Sequence, residues 1–506
     1  MTPPDLSVTP RVDAPDEWHR LSPWMIAVNP IQQLPQLIPL ILALLFAGRG
    51  APDLTVIIAL VAVPLVTIVP WLVTRYQVTD DHVRVRSGLV TRKVATARRD
   101  RIRSVDLTAS LPHRVLGLQK VQIGTGGAKD AAKVELNAIP AADAETLRRY
   151  LMATSRADAP PADTVTAPPT PPEVLSRLQL SWLRYAPFSL TGLATAAAAF
   201  GLLFQFANEA GLFESGATAA EHLAERARDL PILLVTLVAV AIVVVGGGLI
   251  SVAAYLLGFW NFTLTRNHDD DTLHVQRGLL TTQATSLDEH RIRGVHMHEP
   301  VLMRPVGGAR LHAIATGSSK HPLLLPPAPR DEAIRVGQLV AHDGDELTAP
   351  LRPHGRPALR RRLTRGSWVG LGVAALIVVG IAGPLTWPWV LLAGAALIVS
   401  VTLGVVRYRN LGWTVSPSSV VIAPPRVARH RYVVDRAGVI GWATQASWFQ
   451  RRSGVETVVL ATAAGAQAYA AVDLEPDVGT GVMRTVSPEL LQPFIVDPGT
   501  QTNPDS

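Results

Sequence analysis

The amino-acid sequence predicts a membrane protein in which helical hairpins, about six spans in all, alternate with three small antiparallel β domains. Each β domain is expected to end in a helix. Three observations predict this class: uncharged apolar runs of membrane-spanning length, strand-like alternating segments directly after them, and motifs that recur along the chain. The 506-residue chain is 48% hydrophobic although it contains 40 prolines, a combination typical of membrane segments joined to polar domains.

Composition limits the chemistry that the chain can perform. Cysteine is absent, which excludes disulfides, thiolate catalysis and cysteine-ligated metal centres. The net charge is +7 and the pI is about 9.9. In a membrane protein we attribute this excess to Lys and Arg facing anionic lipid, so nucleic acid is not an expected partner. The polar first 20 residues predict no signal peptide.

The membrane part is expected to form three hairpins. The first hairpin, 23–74, combines a stretch interrupted by Gln and Pro with the uncharged run Leu54–Thr74. The second, 181–260, encloses an acidic loop at 208–230, and the third is 366–406. Basic residues flank the ends of these spans that lie next to the β domains, so the positive-inside rule predicts a multi-pass protein with both termini and all β domains in the cytoplasm. The abundance of Ala, Arg and Pro without Lys-rich tracts is typical of a bacterium with a high-GC genome, so the expected location is the bacterial plasma membrane.

The rest of the chain divides into β domains and connecting segments. The β domains are expected at 75–153, 261–342 and 407–496, with helices at Ala141–Met152 and Leu325–Val340 in the first two. The connecting segments are a flexible N-terminus (1–22), a Pro-rich linker (154–180), a basic linker (343–365) and a polar tail (497–506).

The β domains share sequence motifs, which indicates an internal repeat. Arg86-Ser-Gly-Leu89 lines up with Gln276-Arg-Gly-Leu279, and Arg101-Ile-Arg103 lines up with Arg291-Ile-Arg293. A third, degenerate copy starts at Trp413-Thr-Val-Ser416 and lacks the Arg-Ile-Arg motif.

These motifs, with the segment Leu111–Gln119, resemble the bacterial pleckstrin-homology (PH) domains of the YdbS/YdbT-like multi-pass membrane proteins, formerly a domain of unknown function (bPH2, DUF304). The resemblance covers nearly the whole chain and is weakest in the third copy. It implies that each β domain is a PH-like antiparallel sandwich or open barrel capped by a C-terminal helix. It also implies a setting in envelope stress or antimicrobial resistance, and assembly with itself or with a smaller PH-like membrane protein.

Basic residues concentrate in the first β domain. Residues 75–152 carry 15 Lys and Arg against 8 Asp and Glu, whereas residues 260–341 carry 9 against 8. This excess predicts a surface for anionic lipid headgroups or an acidic partner, and the alternative is an ordinary solvated strand face. The candidate residues are Arg84, Arg86, Arg92, Lys93, Arg98, Arg99, Arg101 and Arg103.

No motif predicts catalysis, a cofactor or a metal site. His296 and His298 would share one strand face, but no third ligand is identifiable, so we expect surface histidines. The chain has no nucleophile elbow and no phosphate-binding loop. We therefore expect a non-enzymatic platform for lipid or protein interaction. The alternative is a membrane transporter or export component, which the absence of ionisable residues from the apolar runs disfavours.

Overall fold

A computed structural model of the chain describes residues 18–28, 71–189, scattered positions from 192 to 205, and 231–492, with internal gaps. The gaps lie at 27, 89–91, 100–101, 103, 126–132, 154–170, 270, 318–320, 342–344 and 381–386. The acidic loop, the C-terminal tail and most of the expected N-terminal segment and first linker therefore fall outside the described residues. So do Arg101 and Arg103 of the candidate set.

Each β domain consists of six strands in two groups of three, followed by a helix. In strands such as His82–Ser87 and Ser104–Ala109, apolar and polar residues alternate because every second side chain enters the core. The first domain follows the short strand β1 (His19–Arg20) and comprises β2 (Arg75–Val78), β3 (His82–Ser87), β4 (Lys93–Arg98), β5 (Ser104–Ala109), α1 (Leu111–Val115), β6 (Leu118–Gly124), β7 (Lys133–Pro140) and α2 (Ala141–Ala153).

The second domain follows a strand and a long apolar helix. A short 3-10 helix, Leu180–Tyr185, precedes that long helix, and another, Glu289–Arg291, separates the two groups of strands. The elements are β8 (Glu173–Arg177), α3 (Ile232–Phe259), β9 (Thr263–Asn267), β10 (Thr272–Arg277), β11 (Thr282–Asp288), β12 (Ile292–Glu299), β13 (Gly308–Ala315), β14 (Leu323–Pro329) and α4 (Arg330–Ala341).

The third domain repeats this order after two long helices, with a 3-10 helix at Arg436–Gly438 between its strand groups. The elements are α5 (Gly355–Gly380), α6 (Trp387–Arg409), β15 (Gly412–Val415), β16 (Ser419–Ala423), β17 (Arg429–Asp435), β18 (Val439–Gln445), α7 (Trp448–Arg452), β19 (Glu456–Thr462), β20 (Ala468–Leu474), α8 (Pro476–Val486) and α9 (Pro488–Leu491).

The chain divides into two compact units. The first contains 1–178, 256–291 and 316–319, and the second contains the remaining residues. The first unit holds a four-stranded sheet, β1-β2-β3-β4, and a seven-stranded sheet, β7-β6-β5-β11-β10-β9-β8. Its core includes Val83, Val121 and Leu136, none of which is measurably exposed.

The second unit is also built from antiparallel sheets. Its strands form a six-stranded sheet, β14-β13-β12-β17-β16-β15, and a three-stranded sheet, β18-β19-β20. Its core includes Ile314, Val434 and Leu460. A buried carboxylate, Asp473, bonds Arg361 and Arg362 of α5, and the Arg362 Nη2 to Asp473 Oδ2 distance is 2.6 Å. This ion pair fastens the start of a long apolar helix to the third β domain.

Successive β domains share sheets within each unit. In the first unit, β11 of the second domain pairs with β5 of the first domain, and in the second unit β17 of the third domain pairs with β12 of the second domain. In both cases the third strand of one domain lies antiparallel to the fourth strand of the preceding domain. We call each of these strand pairs a joint.

The membrane prediction is only partly supported. Within the described residues, one helix is long and apolar enough to cross a membrane, the 23-residue α6. The second hairpin is expected to contain spans at 186–207 and 231–259, of which the latter corresponds to α3 with the shorter apolar helix Val243–Phe259. The third is expected to contain spans at 366–384 and 387–406, and the described part of the former lies in α5. Those expected in 23–47, 54–74 and 186–207 fall largely outside the described residues. About six spans are therefore not supported by the residues described.

Of the two helices expected at the ends of the first two β domains, one is confirmed and the other is partly wrong. The helix expected at Ala141–Met152 is confirmed as α2. The helix expected at Leu325–Val340 is wrong in its first part, because Leu323–Pro329 is strand β14 and the helix begins only at Arg330. Three prolines in that strand cannot donate the hydrogen bonds of a helix interior. The expected basic linker also ends early, since α5 begins at Gly355.

Candidate functional site

Three arginines lie side by side across the first sheet. Arg20 is directly opposite Arg75, and Arg75 is directly opposite Arg86. Val94 of β4 occupies the fourth position of this row, opposite Arg86. Directly opposed residues in antiparallel strands have Cβ atoms about 5 Å apart, so the three arginine side chains leave the sheet next to one another on the same face. Like charges in this arrangement destabilise a sheet unless an anion is present.

The same sheet face carries further arginines, and no acidic residue lies directly opposite them among the described strand pairs. Arg84 follows two positions before Arg86 on β3 and lies opposite Gln77 and Thr96, while Arg98 lies opposite His82. The opposite face holds the buried residues Val83, Val85 and Ala97. We call the polar side the arginine face; it comprises Arg20, Arg75, Arg84, Arg86 and Arg98.

Most of the arginine face is available to a ligand. Arg20, Arg75 and Arg84 are exposed and Arg86 is half-buried. These four have no ion pair or side-chain hydrogen bond with another described residue. Four neighbouring cations without carboxylate partners within the described chain can coordinate phosphate oxygens in pairs, the geometry that guanidinium favours.

The row lies where the chain leaves an apolar run. Strand β2 begins at Arg75, one residue after the uncharged stretch Leu54–Thr74. The Trp71 indole donates a hydrogen bond of 3.0 Å to the Leu21 carbonyl, which fastens the end of that stretch to the segment that carries Arg20. Arginines at this place would lie at headgroup depth if the run spans a bilayer.

The other candidate residues are distributed differently. Arg92 and Lys93 are exposed at the start of β4. Arg99 instead points inward: its guanidinium donates to the Tyr150 hydroxyl at 2.7 Å and to the Tyr150 carbonyl at 2.9 Å. It also lies 3.7 Å from the centroid of that ring, with only 10% of its side chain exposed. Arg99 therefore holds α2 against the β2–β3 turn.

The arginine face is specific to the first domain. In the second domain, the positions that correspond to Arg84 and Arg86 are His274 and Gln276, because Thr272 pairs with Asp288 as His82 pairs with Arg98. In the third domain they are Val421 and Ala423, since Ser419 pairs with Asp435 in the same way. The fold thus repeats while the basic surface does not.

A small polar cavity of about 210 Å³ adjoins the end of α3 in the first unit. The Gly278 and Leu279 amides donate to the carbonyls of Trp260 and Leu257 at 2.8 and 2.9 Å, and Arg114 donates to the Leu279 carbonyl. Gly278 has φ +109°, where a Cβ would meet a backbone oxygen at 2.0 Å, so the Arg-Gly-Leu turn requires glycine. The lining includes Arg114 and Arg277, and burial lowers the pKa of Arg277.

The expectation of surface histidines is wrong for His296, whereas His268 and His290 of the same domain are exposed. His296 is 6% exposed, and its ring lies within about 6 Å of four other imidazoles and stacks on Tyr432 at 4.1 Å. His296 Nε2 lies 3.0 Å from His430 Nδ1, across the joint of β12 with β17. The histidine cluster comprises His296, His298, His312, His321 and His430.

The histidine cluster is held uncharged by its surroundings. Burial, followed by nearby cations, lowers the pKa of His298 to about 4 and the pKa of His430 to about 3. Burial and the neighbouring imidazoles also lower the pKa of His296. Among the described residues, no three His, Asp or Glu side chains are arranged to bind a metal ion. His296 and His430 of this cluster pack against each other across the joint of β12 with β17.

The repeated architecture agrees with a comparison against known families. The model of the bacterial PH domain matches residues 32–154, 217–343 and 369–481, which is more than half of the chain. The chain belongs to the bacterial PH domain family. Each match begins ahead of the first strand of a β domain, so the three β domains are three bacterial PH domains.

One curated relative of these PH domains is the UPF0699 transmembrane protein YdbT of Bacillus subtilis (strain 168). The two chains are 32% identical over 82 residues, which is 16% of this chain and 17% of YdbT. The match thus spans about a sixth of the relative's length. It suggests a membrane location for this chain. No solved structure matches the chain.

Two residues of the arginine row, Arg20 and Arg75, were missed by reasoning from sequence. Arg75 carried a signal, because a cation directly after an apolar run is typical of a membrane boundary. Arg20 carried none, since its place opposite Arg75 depends on a strand pairing over 55 positions that no local pattern predicts.

Proposed function

We propose that this protein is a non-enzymatic, multi-pass membrane protein whose first PH domain holds its arginine face against anionic lipid headgroups. The observation that carries the proposal is the row of Arg20, Arg75 and Arg86 across three adjacent strands. Such a row is unfavourable by itself, and it becomes favourable when phosphate groups lie between the guanidinium groups.

Charge and position support lipid over an acidic protein partner. Each Lys or Arg close to an anionic membrane surface contributes about 1 kcal/mol to binding, so the four unpaired arginines supply a substantial attraction. The row also begins one residue after an apolar run, which brings it to the depth of the headgroups without a separate docking step. Arg92 would extend the same surface at the start of β4, whereas Lys93, next to Val94, lies on the opposite face of that strand.

The proposal includes six spans and a cytoplasmic location for all three PH domains. The uncharged runs and the basic residues that flank them support this topology. The helix α6 and the name of the relative, a transmembrane protein, support insertion in a membrane. A role in envelope stress or antimicrobial resistance is the setting that the family resemblance implies.

The test is lipid selectivity of the full chain in phosphatidylcholine vesicles. Electron spin resonance of a spin-labelled lipid reports the affinity of phosphatidylglycerol relative to phosphatidylcholine at the protein surface. Arg84→Gln combined with Arg86→Gln should lower the selectivity for the anionic lipid several-fold at low salt. The same selectivity should weaken in 0.5 M salt, because exposed charges are screened.

The matched control removes the same number of charges elsewhere. Arg149→Gln combined with Arg484→Gln changes two exposed arginines outside the arginine face. This control should keep the selectivity of the unmodified protein. Equal selectivity in all three proteins, or an equal loss in both variants, would contradict a headgroup site on the arginine face.

A further inference from the structure

The two joints follow one rule of pairing. The third strand of a PH domain lies antiparallel to the fourth strand of the preceding domain, first as β11 on β5 and then as β17 on β12. Three domains in series form two joints. One third strand and one fourth strand then have no partner strand from another domain among the described residues. These are β4, the third strand of the first domain, and β18, the fourth strand of the third domain. Each is the end strand of its sheet.

Both end strands have the character of a pairing edge. Natural proteins protect edge strands with charges, proline or bulges, because an open edge recruits further strands. Yet β18 has seven residues, Val439–Gln445, without a charge or a proline, and Ile440 is 62% exposed. Its register shift at Val439–Gly441 has a counterpart at Ile292–Val295 of β12, which pairs with β17 all the same. The centre of β4, Val94-Ala-Thr-Ala97, is likewise uncharged, and Val94 is 56% exposed.

The two joints also share one register. The residue opposite Ser104 is Leu287, and the residue opposite Gly294 is Val434. Ser104 and Gly294 occupy equivalent positions, each directly after an Arg-Ile-Arg motif. Leu287 and Val434 are equivalent too, each one residue before the aspartate that ends its strand.

The same equivalences place residues of β4 and β18 opposite one another. Ala97, one residue before the end of β4, takes the place of Leu287 and Val434. Gly441 takes the place of Gly294, because Val439 follows its 3-10 helix as Ile292 follows Glu289–Arg291. Pairing in this register sets Ala97 opposite Gly441 and Ala95 opposite Ala443.

The two equivalent glycines differ in backbone conformation. Gly294 has φ +139°, which directs a Cβ to 1.9 Å from the Val433 carbonyl oxygen of the adjoining strand. Gly441 lacks a left-handed φ, and a Cβ built on it meets no described atom within 4 Å. A glycine therefore stands at the same position of both strands, beside a neighbouring strand in β12 and at the end of the described sheet in β18.

We propose that β18 of one chain pairs antiparallel with β4 of a second copy of the same chain, forming a third joint in the register of the other two. A second copy is the partner because the chain carries both an end strand of the third type, β4, and an end strand of the fourth type, β18. In both joints of the described chain a third strand pairs with a fourth strand. This head-to-tail contact is independent of lipid binding by the arginine face.

The test uses the absence of cysteine from the chain. Full-length Ala95→Cys and Ala443→Cys chains, carrying different tags, are expressed together, and their membranes are oxidised with copper phenanthroline. Opposed residues of antiparallel strands are within reach of disulfide formation. A disulfide dimer that carries both tags is expected in the mixture, and neither chain alone should give a dimer.

The matched control is Thr444→Cys in place of Ala443→Cys. Thr444 is the next residue along β18, so its side chain lies on the opposite face and cannot meet Cys at position 95. Little mixed dimer is expected from this pair. Mixed dimer from neither pair, or equal amounts from both pairs, would overturn the proposal. A disulfide that joins the Ala95→Cys chain to a different protein, and not to the Ala443→Cys chain, would also overturn the proposal.

The chain that carries both substitutions gives a second readout. Head-to-tail pairing allows each copy to bond two neighbours, so oxidation should produce a ladder of dimers, trimers and larger species on a non-reducing gel. Each single variant should remain at the mass of one chain. A double variant that stays entirely at that mass would also contradict the proposal.

Discussion

Acidification should destabilise the second unit through the histidine cluster, and His430→Gln should remove part of that effect. An ordinary histidine has a pKa of about 6.5. Burial lowers the pKa of His430 to about 3, so at pH 5 the unfolded chain binds a proton that the folded chain does not. The contribution of neutral His430 to the free energy of unfolding is fully present above pH 6.5 and is lost as the pH falls toward 3.

The size of the effect follows from the difference between the two pKa values. Between pH 7.5 and pH 5.0 the unfolded histidine becomes protonated over about 1.5 pH units, which costs about 2 kcal/mol of folding stability. His298, whose pKa is about 4, adds a contribution of similar size. A loss of 2 kcal/mol lowers the melting temperature of a unit of this size by roughly 4–8 °C.

The assay is thermal unfolding of the full chain in detergent, followed by tryptophan fluorescence at pH 7.5 and pH 5.0. Between pH 7.5 and pH 5.0, the melting temperature of the unmodified protein should fall further than that of His430→Gln. The difference between the two falls should be roughly 4–8 °C, the effect of one buried neutral histidine. Because each protein is compared with itself at two pH values, a constant packing cost of the substitution cancels. Equal shifts in the two proteins would refute the assignment of a buried neutral imidazole.

Three further changes test other contacts. Asp473→Asn should destabilise the second unit by about 3–5 kcal/mol, because it leaves buried arginine charge uncompensated, whereas the exposed Asp477→Asn should change melting by less than about 0.5 kcal/mol. Gly294→Ala should cost about 2 kcal/mol or more in the same melting assay, since its Cβ would clash with the adjoining strand, while Gly481→Ala, whose Cβ would meet no described atom within 4 Å, should be tolerated. Arg99→Met should lower the stability of the first unit by about 1–3 kcal/mol in urea unfolding and leave lipid selectivity unchanged, because its guanidinium bonds α2; a loss of selectivity would contradict this role.

Features written in local sequence were predictable. The strands at Tyr76–Gly88 and the helix at Ala141–Met152 follow from alternation and from the placement of charges. The excess of cations in the first domain could also be counted directly. By contrast, the proline-rich strand Leu323–Pro329 was mistaken for helix, because its apolar run has no alternation and both of its faces are buried.

Features that depend on pairing between domains were not predictable. The contact of His296 with His430 joins residues 134 positions apart and exists only because β12 and β17 share a sheet. Seen along the chain, the histidines are scattered and are typical of a surface. The inward position of Arg99 is similar, since its partner Tyr150 lies on a helix 51 positions away.

Depth-dependent quenching locates the arginine row relative to the lipid headgroups. Val94 occupies the fourth position of that row, whereas Asp81 lies at the opposite end of the β2–β3 hairpin. A fluorophore on Val94→Cys or Asp81→Cys is followed in vesicles that contain lipid with a spin-labelled headgroup. If the arginine face binds headgroups, quenching should be strong at position 94 and weak at position 81. Arg84→Gln combined with Arg86→Gln should reduce the quenching at position 94. Equal quenching at the two positions, or none at position 94, would contradict headgroup binding.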